Sequence, residues 1–127
     1  MEVYCDGSMS AICYIVVYPT NTETKHTGRT RYKEPHRAAT HNIAEYDAII
    51  MALEEVDSDN FTIVSDSQLV MYQIKGHYHT NCPVLRARRD MVRALARGRH
   101  ILYHWVPRER NLAGIYIDRQ KGRRIDK

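Results

Sequence analysis

The segment His41–Val56 most limits what this chain can fold into, because it has the pattern of a helix that is apolar on almost every side. Its main apolar face consists of Ile43, Tyr46, Ile50 and Leu53. A helix of this kind is mostly buried, yet Glu45 lies among its apolar residues, and a buried ionised carboxylate is costly unless it is compensated. Either Glu45 reaches the surface in the first turn, where the helix dipole favours negative charge, or a positive group meets it inside the protein.

The chain length of 127 residues corresponds to one domain with a real hydrophobic core. We expect a single domain over residues 1–127, ending in a basic tail over about 121–127 whose order the sequence leaves open. No apolar stretch is long enough to cross a membrane, and the N-terminus lacks the layout of a signal peptide. We therefore expect a cytoplasmic monomer that does not contact membranes.

The cysteines fit no metal-binding pattern, so we expect reduced, packed thiols at Cys5, Cys13 and Cys82.

The net charge of +4 comes from arginines and lysines that cluster in two segments, 86–99 and 119–127. A solvated basic face needs no ligand, and this alternative stays open. Two arginine-dense segments in a small basic protein nevertheless favour a polyanionic partner, with nucleic acid as the first candidate.

The order of predicted elements indicates an α/β fold. Three strands come first as a meander, with a bulge at Gly28: Val3–Cys5, Ala11–Tyr18 and Thr22–Tyr32. After the helix at 41–56 we expect a buried strand at Phe61–Ser65, one or two helices over Ser67–Lys75 and Val84–Gly98, a strand at Ile101–Val106 and a last helix at Asn111–Gln120. This order predicts a mixed sheet covered by helices.

Three acidic residues are predicted to converge at one edge of this sheet. Asp6 follows the first strand, Asp66 follows the strand at 61–65, and Glu45 lies near the start of the helix between them. If the two strands are parallel neighbours, their acidic residues lie side by side. Carboxylates crowded in this way favour Mg²⁺ or Mn²⁺. For Asp66, which precedes Ser67 and a helix, a role as helix N-cap is the alternative.

Divalent cations held between carboxylates are well suited to phosphodiester cleavage. Two ions about 3.5–4 Å apart can activate a water and stabilise the leaving oxygen of an in-line displacement. The basic surface would hold the nucleic acid.

Four motifs in the chain, in this order, resemble those of type 1 ribonuclease H. They are Asp6-Gly7-Ser8, the segment from Thr40 to Glu45, the segment from Ser65 to Val70, and the segment from Trp105 to Asn111. The resemblance implies a ribonuclease H-like fold with a five-stranded mixed sheet in the order 3-2-1-4-5. It also implies an endonuclease that uses two Mg²⁺ or Mn²⁺ ions to cut the RNA strand of an RNA/DNA hybrid, leaving 5′-phosphate and 3′-hydroxyl ends.

The resemblance also assigns roles to individual residues. Asp6, Glu45 and Asp66 match the metal ligands of the family. The matches to substrate-binding positions are Asn42 and Gln68 in the minor groove of the hybrid, Thr40 at a phosphate of the DNA strand, and Gly7 and Ser8 beside the first acid.

The last helix departs from the family pattern, because no Asp stands where a fourth carboxylate is usual. Asn111 is our choice for that position, as a catalytic residue and a metal ligand through its amide oxygen. Gly114 is a competing alignment, and Asp118 would reach the site only if the helix shifted. An N-cap role for Asn111 is the alternative to metal binding.

A second departure is the histidine that many relatives carry just before the last helix. The last histidine here is His104, on the preceding strand, and the sequence offers no argument for choosing Arg108 or Glu109 as a substitute. Since the chain begins at the first strand, we expect no separate hybrid-binding domain, so that hybrid affinity comes from the arginine clusters and the tail. Two other functions stay open: a catalytically impaired nucleic-acid-binding module, and a nuclease acting on another duplex.

Overall fold

The computed structural model describes the backbone of residues 1–29 and 40–125, and the side chains of these residues except Thr40 and residues 121–125. Five strands form one sheet: β1 (Glu2–Gly7), β2 (Ile12–Val17), β3 (Glu23–Gly28), β4 (Asn60–Ser65) and β5 (His100–Trp105). The helices are α1 (Thr40–Glu55), α2 (Gln68–Ile74), α3 (Pro83–Ala96) and α4 (Leu112–Ile125), and a short 3-10 turn covers Arg108–Arg110.

The strand order is β3-β2-β1-β4-β5, as predicted. Strands β1, β2 and β3 form an antiparallel meander, whereas β1, β4 and β5 run parallel to one another. The predicted mixed sheet is therefore confirmed. None of the helices in the described part of the chain is long and apolar enough to span a membrane.

Two predicted elements differ from the structure. Strand β3 ends at Gly28, and Gly28 pairs in regular register with Ile12, so the predicted bulge is wrong. The part of the predicted strand from residue 30 onward lies outside the described residues. Helix α4 continues to Ile125, beyond the predicted end at Gln120, which agrees with the good helix propensity of lysine and arginine. Residues 126 and 127 of the expected tail lie outside the described residues.

Helix α1 is the centre of the hydrophobic core. All of its residues from Ile43 to Leu53 are buried, because the sheet covers one side of the helix and α3 covers the other. Helix α4 packs on the opposite face of the sheet, against β1 and β2. The cysteines are free thiols, as expected, and burial raises the pKa of Cys13 to about 12, so this thiol is inert at neutral pH.

Gly7 allows α1 to approach the end of β1 very closely. A Cβ atom at this position would collide with the backbone carbonyl of Ala44 and would lie 2.9 Å from the backbone nitrogen of Glu45. Only a glycine therefore lets the start of α1 pack directly on the end of β1. This contact brings Glu45 next to Asp6.

Several arginines of the basic segment 86–99 contact other parts of the protein and stabilise the fold, so this segment is not simply a solvent-exposed basic surface. Arg88 forms a salt bridge of 2.9 Å with the buried Asp47 of α1. Arg93 donates to the carbonyls of Gln73 and Ile74, the last two residues to end α2. Arg99 donates to backbone carbonyls just beyond and within the last turn of α1. Arginines that remain exposed in this segment include Arg86 and Arg97.

Candidate active site

The parallel pairing of β1 and β4 brings two aspartates to the same edge of the sheet. Tyr4 lies opposite Val64 in this register, so Asp6 and Asp66 both lie beyond the paired residues, toward the carboxyl ends of the strands. Helix α1 adds Glu45 through the close contact at Gly7. Ligand oxygens of these three carboxylates all lie within 4.8 Å of one another. The predicted convergence is confirmed.

The three carboxylates are poorly solvated. Asp6 is 1% exposed and Glu45 is 2% exposed, whereas the Asp66 side chain is 17% exposed. Glu45 Oε1 accepts a long hydrogen bond of 3.5 Å from the backbone N–H of Gly7. Glu45 Oε2 and Asp6 Oδ2 are buried and have no hydrogen-bond partner among the described residues. Buried acceptors of this kind are costly unless a donor or a cation meets them.

The environment of Glu45 raises the pKa of its carboxyl group well above the ordinary value of 4.5. Burial is the main cause, since it penalises the charged form, and the negative charge of Asp6 adds to it. The exposed imidazole of His41 lies 3.7 Å from Glu45 Oε1, one turn earlier on the same helix. The sequence left two explanations open for the Glu45 carboxylate, a position at the surface or a close cation inside the protein. Neither of them fully explains how the charge of this buried carboxylate is compensated.

A divalent cation fits this set of residues. Carboxylate oxygens are the ligands that Mg²⁺ and Mn²⁺ prefer, and two of those present are buried and unpartnered within the described structure. The sheet edge thus offers hard, negatively charged ligands from three different elements. This is the geometry expected of a metal centre.

Arg108 contributes a positive charge that sequence reasoning did not assign. Its Nη1 atom lies 2.6 Å from Asp6 Oδ1 and 3.2 Å from Asp66 Oδ1. Burial alone would lower the pKa of this guanidinium, but hydrogen bonds to Asp118 and Asp6 outweigh burial and raise the pKa above its usual value. Arg108 is therefore a permanent cation at the acidic cluster. The only signal in the sequence was an arginine in the short segment before α4.

Asn111 also lies at the cluster, as predicted, and is fully buried. Its amide nitrogen donates to Asp66 Oδ1 at 2.5 Å and to the carbonyl of Cys5 at 2.9 Å. Its amide oxygen accepts from the backbone N–H of Ala113 at 3.2 Å, which is the contact of a helix N-cap. The N-cap alternative for Asn111 is thus observed, and the residue faces Asp66 with its N–H group.

The alternative for Asp66, a role as N-cap of α2, is wrong. The cap is Ser67, whose hydroxyl accepts from the backbone N–H of Val70 at 3.3 Å. The indole Nε1 of Trp105 donates to the backbone carbonyl of Asp66 at 3.1 Å, a contact that sequence reasoning missed. The Asp66 carboxylate is consequently left to face Asp6.

Asp118 does not join the three carboxylates in the described structure. Its side chain is 54% exposed and lies 2.9 Å from Nη2 of Arg108, one layer outside the cluster. The alternative in which Asp118 completes the acidic site is therefore not what the structure has.

The residues predicted to bind substrate lie around the cluster in different environments. Asn42 is half-buried in the first turn of α1, and Gln68 is exposed at the start of α2. Gly7 and Ser8 are buried, and the Ser8 hydroxyl donates to the carbonyl of Ala11, which closes the turn between β1 and β2. The side chain of Thr40 lies outside the described part of the chain.

The family model described as RNase H matches residues 1–107 of this chain. The chain belongs to the RNase H family. Among curated relatives of this RNase H, ribonuclease HI of Halobacterium salinarum is 46% identical over 63 residues, which is 47% of this chain and 32% of the relative. The bifunctional protein Rv2228c of Mycobacterium tuberculosis is 36% identical over 85 residues, 64% of this chain and 22% of the relative. The matches thus span a third or less of these relatives.

Solved structures similar to this RNase H cover nearly its whole length. The crystal structure of RNase H1 from Halobacterium salinarum superposes with a TM-score of 0.71 at 33% identity, covering 88% of this chain and 89% of that one. The N-terminal RNase H domain of rv2228c from Mycobacterium tuberculosis gives 0.68 at 28% identity, with 93% of each chain covered. LC11-RNase H1 in complex with an RNA/DNA hybrid gives 0.72 at 23% identity and shares the fold, covering 87% of this chain and 88% of that one.

Proposed function

We propose that this RNase H hydrolyses the RNA strand of RNA/DNA hybrids with the help of divalent cations, two Mg²⁺ or Mn²⁺ ions in each site. The observation that carries the proposal is the cluster of Asp6, Glu45 and Asp66, with two buried carboxylate oxygens that have no partner among the described residues. Family membership supports the same chemistry. LC11-RNase H1, which has this fold, was solved with an RNA/DNA hybrid, and this supports the substrate class.

In this proposal Asp6, Glu45 and Asp66 hold the cations. Bound divalent cations would supply a polarised attacking water and stabilise the leaving oxygen of the phosphodiester. The products would be a 5′-phosphate and a 3′-hydroxyl end.

Neighbouring residues of the chain keep the carboxylates in position. Asn111 donates to Asp66 Oδ1, and Trp105 donates to the backbone carbonyl of Asp66, so Asp66 is oriented from both sides. The close packing of Gly7 against α1 fixes the distance between Asp6 and Glu45. We propose that Asn111 acts on the metal site, either by completing the shell of one ion through its oxygen or by orienting a water.

We also propose substrate contacts on both sides of the cluster. Asn42 and Gln68 stand at the starts of α1 and α2 and offer amide groups, which can recognise the 2′-hydroxyls that distinguish RNA from DNA in the minor groove. Thr40 would contact a phosphate of the DNA strand, and the backbone of Gly7 and Ser8 would flank the scissile strand. The monomeric state and the cytoplasmic location stay predictions.

The test is cleavage of a labelled RNA/DNA hybrid by the whole chain, alongside double-stranded RNA and single strands, with Mg²⁺, Mn²⁺ or EDTA. We expect the hybrid to be cut only with a divalent cation, and Asp66→Asn to bind the hybrid without cutting it. Asp90→Asn is the matched control, because it removes a carboxylate that is 64% exposed on α3, away from the cluster. This control should cut as fast as the parent.

The other outcomes identify the alternatives. Hybrid binding without cleavage by the parent protein would mean a nucleic-acid-binding module. Cleavage of double-stranded RNA in preference to the hybrid would mean a nuclease for another duplex. Loss of the fold in Asp66→Asn, measured by circular dichroism, would mean that Asp66 is mainly structural.

A further inference from the structure

Three side chains in the described part of the chain, those of Arg108, Asn111 and His41, approach the acidic cluster with a positive or hydrogen-bonding group, and of these three only Arg108 carries a permanent charge. Asn111 is neutral, and the His41 side chain is 73% exposed at the outer side of Glu45. The Arg108 guanidinium, by contrast, inserts between Asp6 and Asp66 with one nitrogen atom. We propose that Arg108 is a built-in counter-cation that holds the carboxylates together and competes with divalent cations for the same oxygens.

Helix α4 leaves a space at Gly114 that the guanidinium of Arg108 fills. Gly114 is the third residue of α4, and a Cβ atom there would lie 2.6 Å from Nη1 and 2.7 Å from Cζ of Arg108. Any larger residue would therefore push the guanidinium away from the acids. A glycine inside a helix destabilises that helix. The space that the Arg108 guanidinium needs explains why a glycine is nevertheless present at position 114.

Asp118 binds the other side of the guanidinium. Nη2 of Arg108 lies 2.9 Å from Asp118 Oδ1, and Nε lies 3.3 Å from Asp118 Oδ2, so the planar fork is held by both carboxylate oxygens. Asp118 lies nearer to solvent than the cluster does. Asp118 can thus hold Arg108 at the edge of the cluster when Asp6 and Asp66 bind a cation.

The guanidinium contacts the same carboxylate oxygens that divalent cations would bind. Nη1 contacts Asp6 Oδ1 at 2.6 Å and both oxygens of Asp66, at 3.2 and 3.4 Å. These are two of the three carboxylates that the proposed function assigns to the cations, and the inference rests on that function. A guanidinium and a divalent cation repel each other at such distances in a poorly solvated site. Cation binding should therefore require Nη1 to leave the cluster.

The experiment measures cation affinity and not catalysis. The whole chain is freed of metal with a chelator, and Mn²⁺ and Mg²⁺ are each titrated by isothermal calorimetry into the parent and into Arg108→Gln. We expect the variant to bind about tenfold more tightly, which corresponds to about 1.4 kcal/mol. Without metal, the same variant should melt at a lower temperature than the parent, because the acids lose their counter-charge.

A matched control separates this effect from a change in overall charge. Arg110→Gln removes the same charge from the same 3-10 turn, where the side chain is exposed. It should leave both the cation affinity and the melting temperature close to those of the parent.

A second variant keeps Arg108 and fills the space at Gly114 that its guanidinium occupies. Gly114→Ala should displace the guanidinium from the acids and so tighten cation binding, as Arg108→Gln does, while improving the intrinsic propensity of α4. This variant addresses the case in which Arg108→Gln fails to fold without metal.

Cation affinity that is unchanged or weaker in both variants would overturn the competition between Arg108 and metal. That result is distinct from failure of the proposed function, in which the parent and Asp66→Asn would bind cations equally or not at all. Tighter binding in Arg110→Gln of the same size would also overturn the inference, since it would show a general charge effect.

Discussion

The side-chain amide of Asn111 donates a hydrogen bond of 2.5 Å to Oδ1 of Asp66, so Asn111 meets the acidic cluster through its N–H group. Its oxygen is used at the same time to cap α4 at Ala113. One residue thus joins the start of the last helix to the acid that follows β4. To act as a metal ligand through its oxygen, Asn111 would have to turn its amide and give up these contacts.

Asn111→Ala tests this double role. The substitution removes the cap and one of the donors that orient Asp66, so we expect a loss of about 1 kcal/mol in the free energy of unfolding. Cleavage at limiting Mg²⁺ should slow, because the Asp66 carboxylate loses its shortest hydrogen bond and is held less firmly toward the site. Denaturant unfolding and initial rates over a series of Mg²⁺ concentrations measure the two effects. A variant that cuts as fast as the parent at limiting Mg²⁺ would show that Asn111 has no role at the metal site.

Asn111→Asp tests the missing fourth carboxylate in the opposite direction. An aspartate keeps the cap at Ala113 but repels Asp66 instead of donating to it. We expect the metal-free protein to become less stable and the protein to bind Mg²⁺ more tightly. Melting temperatures with chelator and with Mg²⁺ should therefore differ more in this variant than in the parent. An equal or smaller difference would speak against any contact between position 111 and the cation.

Gly7→Ala tests the contact that brings α1 to β1. The added Cβ meets backbone atoms of Ala44 and Glu45, which cannot move aside without shifting the helix. Overpacking of a core typically costs about 1–3 kcal/mol, and we expect the upper part of this range or more, together with loss of cleavage. Denaturant unfolding monitored by circular dichroism gives the value.

Gly28→Ala is the matched control for that variant. Its added Cβ lies 3.0 Å from the sulfur of Met51, the far end of a flexible side chain, so a small shift relieves the contact. A loss of stability as large as that of Gly7→Ala would mean that the close approach at Gly7 is not special.

The fold was predictable because its elements are strongly patterned. The apolar run of β2 and the all-round apolar α1 leave little choice of structure, and parallel pairing of β1 with β4 then brings Asp6 and Asp66 together. The acidic cluster follows from topology, since each acid stands at a defined end of a strand or helix.

The roles of the arginines were not predictable from spacing. Arg108 and its partner Asp6 are 102 residues apart, and their contact depends on a 3-10 turn and on the gap at Gly114. Arg88 and Arg99 belong to a segment whose charge favours a nucleic-acid partner, yet they contact α1. Such contacts depend on how far a side chain reaches and in which direction it points where two helices pack together. A charge pattern shows neither.

Glu45→Gln tests the electrostatic cost of the cluster. The pKa of Glu45 is raised in the folded protein, so above the ordinary pKa of 4.5 the folded state binds more protons than the unfolded state does. The free energy of unfolding of the metal-free parent should therefore fall as the pH rises above about 4.5, and glutamine removes this contribution. At pH 7 we expect the variant to be more stable than the parent, with a smaller difference near pH 4.5.

Urea unfolding with chelator at several pH values measures this difference. Glu109→Gln, which removes an exposed carboxylate, should follow the pH profile of the parent. A difference between Glu45→Gln and the parent that grows as the pH falls would contradict the argument, because its sign would be reversed.

Arg99→Ala tests whether the basic segment is partly structural. The guanidinium donates to the carbonyls of Leu53, Val56 and Ser58 at 2.7–3.2 Å, and its side chain is 14% exposed. It therefore satisfies the carbonyl of Leu53 in the last turn of α1, which has no partner within the helix, and two carbonyls just beyond the end of α1. Because hydrogen bonds to charged groups are worth about 1.5–3 kcal/mol, we expect a loss of about 2–3 kcal/mol in the free energy of unfolding.

Arg86→Ala is the control for this last variant, since Arg86 is an exposed arginine near the start of α3. Its loss should change stability by no more than about 0.5 kcal/mol. Its effect should appear instead in hybrid binding, as a weaker dependence of affinity on salt. With one phosphate contact fewer, binding releases fewer counterions from the hybrid. If the two substitutions exchanged these effects, with Arg99→Ala harmless to stability, Arg99 would belong to the binding surface and not to the support of α1.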